Sequence, residues 1–154
     1  MEEKIYLLYN FCYNNSFNNC LEIDNIILGK IKIDDIKITD TKETDELMEK
    51  INEFKISYIN FDNTDLISYW KIFTNSSYNV RMKISTYKKG KDIDNLNSFP
   101  NNDSLFSYLL SSLVVKKKTN NILLPIINFD IEFDKIKHIL KSNELIYNEI
   151  NEKI

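Results

Sequence analysis

The sequence predicts an α+β protein with a small antiparallel sheet and one main packed helix. Tyr78–Tyr87 alternates apolar and polar residues, the pattern of a half-buried strand. Ser104–Val115 instead places its apolar residues at helical spacing. At 154 residues the chain has the length of one domain with a substantial hydrophobic core. We therefore expect a single domain over residues 1–154.

The first half of the chain predicts short strands around one helix. Ile26–Ile38 alternates in part and indicates one bulged strand or two short ones. Thr44–Phe54 has a helical apolar face, with Thr44 as a candidate N-cap. Lys55–Phe61 and Ser68–Phe73 are rich in Ile and aromatic residues, which favour strands.

The second half predicts strand, loop, helix, strand and a helical tail. The helix is expected over Asp103–Val115, after a loop that contains Pro100. Ile122–Phe133 is a run of strand-forming residues, in which Pro125 indicates an edge or a bulge. Asp134–Ile154 has the apolar spacing of one or two short helices.

Composition limits the function classes. The chain has 24 Ile, 21 Asn and no Ala, which is typical of an AT-rich genome. A net charge of −3 gives no reason to expect a nucleic-acid partner. Cys12 and Cys20 lack the spacing of a zinc site. No segment has the length of a membrane span and the N-terminus is acidic, so we expect a cytoplasmic protein without a membrane partner.

A lysine and an acid stand at positions where a nucleotide site would need them. Val80–Lys83 reads VRMK, which has the form of the V-A-I-K strand of protein kinases, and Asp103 follows twenty residues after Lys83. In a kinase N-lobe the strand lysine holds the phosphates of ATP and a helix carboxylate orients that lysine. The other interpretations are that Lys83 is a lysine on the solvent face of a strand and that Asp103 is a helix N-terminal acid.

Residues 69–133 resemble the N-lobe of serine/threonine protein kinases from large DNA viruses of the poxvirus and mimivirus kind. The resemblance is clearest over Asn101–Phe133, about 33 residues, and looser back to Tyr69. It implies an N-lobe-like fold, with Lys83 as the phosphate contact of ATP with magnesium and Asp103 as the ion-pair partner of Lys83. It also implies the host cytoplasm or the virion as the location, and it leaves residues 1–68 unassigned and 134–154 as a tail. The matching positions are Asn101–Asn102, Leu109–Leu110–Ser111, Thr119, Ile122 and Leu124–Pro125.

Several kinase features are absent from the sequence. No Gly-rich phosphate loop precedes Lys83, and neither a His-Arg-Asp catalytic loop nor an Asp-Phe-Gly motif occurs. The resemblance therefore predicts a truncated kinase-like protein that is not catalytic alone and has no catalytic residues of its own. The alternatives are a protein–protein interaction module or the N-terminal piece of a split kinase gene. If Ser76–Tyr78 is a degenerate glycine loop, the strand lysine becomes Lys88 or Lys89.

Two further groups near the C-terminus have both a functional and a structural interpretation. Asp130, Glu132 and Asp134 fall on one side of an extended segment, which would attract a cation or form a solvated acidic face. His138 lies among apolar residues and has no serine or cysteine at a related spacing, so we expect a structural role. We predict no metal site.

Overall fold

A computed structural model describes residues 36–74, 80–87, 93, 98–115 and 125–153. The chain divides into two compact units. One unit comprises Met1–Thr39 and Ile93–Asp130, and the other comprises Asp40–Asp92 and Ile131–Ile154. The α+β class is confirmed, because the described elements are a three-stranded antiparallel sheet and four helices.

The sheet is a meander of three strands in the second unit. Strands β1 (Lys55–Asp62), β2 (Ile67–Phe73) and β3 (Val80–Ser85) lie in the order β1-β2-β3. Both neighbouring pairs are antiparallel. All three strands agree with the sequence prediction to within two residues at each end, apart from Tyr78 and Asn79, which lie outside the described residues.

Two local features determine the β1–β2 register. A bulge between Tyr58 and Asn60 adds one residue to β1. Before and after the bulge, the side chains of β1 alternate between the two sides of the sheet in step with their partners on β2. In the connecting turn the Asp62 carboxylate accepts hydrogen bonds from the amides of Thr64 (2.9 Å) and Asp65 (3.3 Å). Leu66 ends the turn with a φ of 54°, in the left-handed region.

Helix α1 (Thr41–Asn52) precedes the sheet. Its N-cap is Asp40, whose carboxylate accepts a hydrogen bond from the Glu43 amide at 3.0 Å. The helix thus begins three residues before the predicted start. Thr44 is a buried residue inside the first turns, where its hydroxyl donates to the Thr41 carbonyl. The cap prediction was wrong because Asp40 provides the same chemistry one turn earlier.

Helices α3 (Phe133–Leu140) and α4 (Glu144–Lys153) form the tail, for which the sequence predicted one or two short helices. Lys135 of α3 pairs with Asp45 of α1 at 2.7 Å, and this hydrogen bond raises the pKa of Lys135. The His138 ring forms a 2.7 Å hydrogen bond with the Asn52 side chain, which agrees with its expected structural role. The rings of Phe133 and Tyr147 stack at 6.1 Å between α3 and α4.

The core of this unit contains buried apolar side chains from β2, β3 and all three helices. Trp70 is fully buried, and its indole N–H donates to the buried Ser68 hydroxyl at 2.8 Å. Polar groups in a core need such a partner because burial removes their hydrogen bonds to water. The buried apolar residues of this unit are Leu47, Met48, Ile51, Ile67, Trp70, Ile72, Val80, Ile84, Ile136, Ile139, Leu140, Ile146 and Ile150 among the described residues.

Helix α2 (Phe99–Val115) belongs to the first unit. It begins four residues before the predicted Asp103, with Pro100 in the first turn, where a missing N–H is tolerated. The Asn102 amide donates to the Ser98 carbonyl at 2.9 Å. Asp103 therefore lies just past the first turn rather than at the helix start.

The buried face of α2 is partly polar. Asn101, Tyr108 and Ser111 are buried, whereas Phe106 and Leu110 are 59% and 46% exposed. Both exposed residues belong to the apolar set at helical spacing in Ser104–Val115. The apolar spacing thus predicted the helix, but it does not coincide with the face that is buried.

The remainder of the described first unit is irregular chain joined by one bridge. Ile38 pairs with Phe129 in a parallel bridge, with hydrogen bonds from the Ile38 amide to Asn128 (2.9 Å) and from the Asp130 amide to Ile38 (3.2 Å). From Pro125 to Glu132 this bridge is the only strand-type pairing in the described chain, so the strand predicted over Ile122–Phe133 was wrong for that part. Pro125 provides no amide for a ladder. Residues 122–124 and 26–35 of the predicted strands lie outside the described residues.

Candidate functional site

The two faces of the sheet differ sharply in polarity. Ser68, Trp70 and Ile72 of β2 are buried, and the register places Val80 and Ile84 of β3 on the same side. The odd-numbered residues of β2 point to the opposite side because successive side chains in a strand alternate. Of the side chains of β2, the more exposed ones therefore lie mainly on this second side.

This second side carries four cations and two aromatic rings. We call it the basic face, and cross-strand pairing defines its members. Lys55 lies opposite Phe73, Lys71 opposite Arg81, and Tyr69 opposite Lys83. Lys55, Arg81 and Lys83 are exposed, whereas Tyr69 and Lys71 are half-buried. The residues of the basic face are Lys55, Ser57, Asn60, Tyr69, Lys71, Phe73, Arg81 and Lys83, and the same side of the sheet ends with Asp62, Ile67 and Ser85.

The lysines of the basic face lie over its rings. The ammonium groups of Lys71 and Lys55 are 4.9 Å and 5.5 Å from the centre of the Phe73 ring. The Lys83 ammonium is 5.8 Å from the centre of the Tyr69 ring. Cation–π attraction operates at these distances and offsets part of the repulsion between like charges. The rings therefore also position the cations.

The charges on this face are not balanced by acids on the same strands. Lys71 and Arg81 are directly opposite each other, an arrangement of like charges that destabilises a sheet. Asp62, the one acid on this side of the three strands, pairs with Ile67 at the far end of β1 and accepts the turn hydrogen bonds. At that end Ile67 is only 3% exposed, so the open part of the face is the end that bears Lys55, Phe73 and Arg81.

The structure places the two predicted site residues in different units. Lys83 is the exposed fourth residue of β3 in the second unit, and Asp103 lies in α2 of the first unit. Arg81 and Lys83 are both exposed on the same side of β3, as the interpretation of Lys83 as a lysine on the solvent face of a strand requires. The predicted pairing of Lys83 with Asp103 stays a prediction. The alternatives Lys88 and Lys89 lie outside the described residues.

A buried ion pair occurs elsewhere, in the first unit. The Lys37 side chain is 1% exposed, and its ammonium contacts both the Asp130 carboxylate and the Ile93 carbonyl, the latter at 2.7 Å. The buried Asn101 side chain donates to the same Ile93 carbonyl at 2.7 Å. Asp130 thus belongs to an ion pair, and not to the solvated acidic face proposed with Glu132 and Asp134. In the described part of the chain, no three His, Cys, Asp or Glu side chains are grouped to hold a metal ion.

The sequence pattern predicted Lys83 as a site residue but not its neighbours on the basic face. The alternation of Tyr69, Lys71 and Phe73 against Ser68, Trp70 and Ile72 was visible in β2 and would have separated the two sides. Alternation alone could not have identified Lys55 as a member of the basic face, because only the β1–β2 register places it beside Phe73.

A shallow depression of about 380 Å³ lies along α3 and α4 of the second unit. Its described lining is Lys141, Glu144, Tyr147 and Asn148. The Lys141 ammonium covers the Tyr147 ring at 5.1 Å. The described lining of this depression contains none of the predicted site residues. We therefore favour the basic face as the candidate site.

None of the described helices is long and apolar enough to cross a bilayer.

No protein-family model matches the chain, and no solved structure matches it. The chain is 28% identical over 160 aligned residues to an uncharacterized protein of Acanthamoeba polyphaga mimivirus. The alignment covers 86% of this chain but 20% of the mimivirus protein, so the chain spans about a fifth of that relative's length. This similarity supports an origin in a large DNA virus.

Proposed function

We propose that this chain is a non-catalytic relative of the N-lobe of large-DNA-virus serine/threonine protein kinases, and that Lys83 binds a phosphate group of ATP with magnesium. The exposure of Lys83 on β3 carries the proposal, because a buried or oppositely directed lysine would not reach a ligand. The order of three antiparallel strands followed by α2 also supports it. The chain itself contains neither the catalytic base nor the metal-binding aspartate of kinases, so the proposed role is binding.

A thermal-shift titration with ATP and magnesium tests the proposal. A ligand at ten times its Kd stabilises a protein by about 1.4 kcal/mol, which corresponds to a rise in Tm of roughly 3–6 °C at this chain length. Lys83→Ala should abolish the rise. Lys42→Ala removes the same charge from an exposed position on α1 and should leave the rise unchanged. Absence of a shift in the wild type, or an equal shift in Lys83→Ala, contradicts nucleotide binding at this residue.

The role of Asp103 is a separate part of the proposal. In the kinase arrangement its carboxylate orients the lysine, and Asp103→Asn then weakens ATP binding in the same direction as Lys83→Ala. The double variant should be no weaker than Lys83→Ala alone, because both residues act on one contact. Additive losses would show that the two residues act independently.

A second candidate, a protein–protein interaction module, is favoured by the apolar side chains on α2. Phe99, Phe106 and Leu110 are 44%, 59% and 46% exposed and fall at positions i, i+7 and i+11, on one side of the helix. An exposed apolar stripe of this kind is typical of helices that pack into a partner's groove. The occupant would be another protein with an apolar groove.

Site-specific photo-crosslinking in infected cells distinguishes this second candidate. A crosslinking residue at position 106 should trap one defined protein, whereas the same residue at the exposed position 134 of α3 should not. Equal crosslinking patterns at both positions would contradict a specific docking site on α2.

A further inference from the structure

The basic face has the composition of a surface that binds a polyanion. Its strands place four cations and two rings together, and they supply no acid at the Lys55–Phe73–Arg81 end. The cross-strand pair of Lys71 and Arg81 is destabilising by itself, and the charge of a bound anion removes that penalty. The net charge of −3 does not prevent this, because charges beyond about 10 Å are screened at 0.1 M salt.

The rings favour a particular polyanion. Phe73 is 41% exposed and lies at the open end of the face, with a lysine from β1 and one from β2 over it. Tyr69 lies on the same side of β2, beside Lys83. Bases of single-stranded nucleic acid stack on such rings while the phosphates contact the surrounding cations. An acidic peptide would use the cations but would gain little from the rings.

We propose that the basic face binds single-stranded nucleic acid, with Phe73 as the principal stacking residue and Lys55, Lys71, Arg81 and Lys83 as phosphate contacts. The proposal goes beyond the nucleotide contact at Lys83, because its other residues lie further across the sheet. Lys55 is two strands and about four residues away from Lys83, a separation of roughly 15 Å. The proposal also departs from the expectation of no nucleic-acid partner, which rested on total charge alone.

Fluorescence anisotropy with a labelled 12-nucleotide oligo(dT) tests the binding. The full chain should bind it at low salt, and the affinity should fall with salt with a logarithmic slope of at most about 3, given four cations and about 0.7 per phosphate contact. Arg81→Ala removes one phosphate contact and should therefore lower that slope by about 0.7. Absence of binding in 50 mM salt at 100 μM protein, or a slope near zero, overturns the proposal.

Phe73 and Tyr58 offer a matched pair of substitutions. Both side chains are 41% exposed, but Tyr58 lies on the Trp70 side of the sheet, with its ring 5.7 Å from the indole. Phe73→Ala should weaken oligo(dT) binding about tenfold, and Tyr58→Ala should not weaken it. Phe73→Leu keeps an apolar side chain without the ring and should behave like Phe73→Ala, so a folding defect in one variant does not remove the test. Equal affinity of wild type and both Phe73 variants overturns the stacking role.

Two competitors separate the alternative ligands. Poly-glutamate or duplex DNA that displaces oligo(dT) at equal charge concentration would overturn the proposal in favour of a general anion surface. Weak competition by both, together with oligo(dT) binding that persists in Lys83→Ala, supports a single-strand site independent of the proposed nucleotide contact. Lys42→Ala again controls for the loss of one positive charge.

Discussion

The buried pair of Lys37 and Asp130 allows a strong prediction about stability. Asp130→Ala removes a carboxylate that pairs with this ammonium, and the Lys37 side chain is 1% exposed. Removing one partner of a buried ion pair leaves an uncompensated charge and typically costs 3–5 kcal/mol. We expect about 3 kcal/mol here, the lower limit, because the Ile93 carbonyl still accepts a hydrogen bond from Lys37.

The reverse substitution should be milder. Lys37→Met replaces the buried ammonium by an apolar side chain of similar length. It leaves Asp130 with its side chain 23% exposed, so water can hydrate the carboxylate. We expect a loss of about 1 kcal/mol. In the double variant Lys37→Met, Asp130→Ala the losses should not add, because the charge that made the second substitution costly is gone.

Urea unfolding followed by circular dichroism measures the loss in free energy of unfolding, and amide hydrogen exchange locates it. The Ile38 and Asp130 amides form the bridge beside the ion pair and should lose protection in Asp130→Ala. Asp134→Ala is the control, because this carboxylate is 82% exposed and its 3.4 Å pair with Lys137 contributes little. Equal effects of Asp130→Ala and Lys37→Met, or a loss below about 1 kcal/mol in Asp130→Ala, would refute the buried-charge argument.

Three further predictions concern single side chains. Tyr108 is 2% exposed, its hydroxyl has no hydrogen-bond partner in the described chain, and burial raises its pKa. Tyr108→Phe should therefore stabilise the protein by about 1 kcal/mol at neutral pH. Above pH ~10 the unfolded state loses the phenol proton first, so the free energy of unfolding of the wild type falls as pH rises. In urea titrations the decline with pH should be smaller in Tyr108→Phe, which lacks this phenol. An equal decline in wild type and Tyr108→Phe would contradict the raised pKa of Tyr108. Ser68→Ala leaves the buried Trp70 indole without its acceptor and should cost about 1–3 kcal/mol, with a changed Trp70 emission spectrum; a neutral effect would show another acceptor. Asp40→Ala should cost about 1 kcal/mol in urea unfolding and Asp40→Asn much less, because asparagine also caps, whereas equal losses would assign the effect to charge.

The sequence predicted the secondary structure of the second unit well because its signals are local. Alternation in β2 and β3 and the apolar spacing of the tail helices need no knowledge of distant residues. Errors arose where two local signals competed. Asp40 and Thr44 are both good caps, and the chain begins α1 at the first.

The features that periodicity did not predict depend on contacts between distant residues. Lys37 and Asp130 are 93 positions apart, and neither lies in a regular helix or strand. On α2 the apolar residues at helical spacing include Phe106 and Leu110, which are exposed, whereas Tyr108 and Ser111 are buried. A helical pattern gives the relative positions of side chains around one axis, but the surrounding chain decides which of those positions are covered.

The basic face shows why total charge is a poor guide to the partners of a small protein. The chain carries 20 Lys and Arg against 23 Asp and Glu, so any average over its surface is slightly acidic. Pairing in the sheet nevertheless places Lys55, Lys71, Arg81 and Lys83 on one side, while acids such as Asp45 and Asp134 lie on helices. A ligand within a few ångströms of the sheet responds to the nearby charges, because salt screens those beyond about 10 Å. The strand register, rather than composition, therefore determines which charged ligands this sheet can attract.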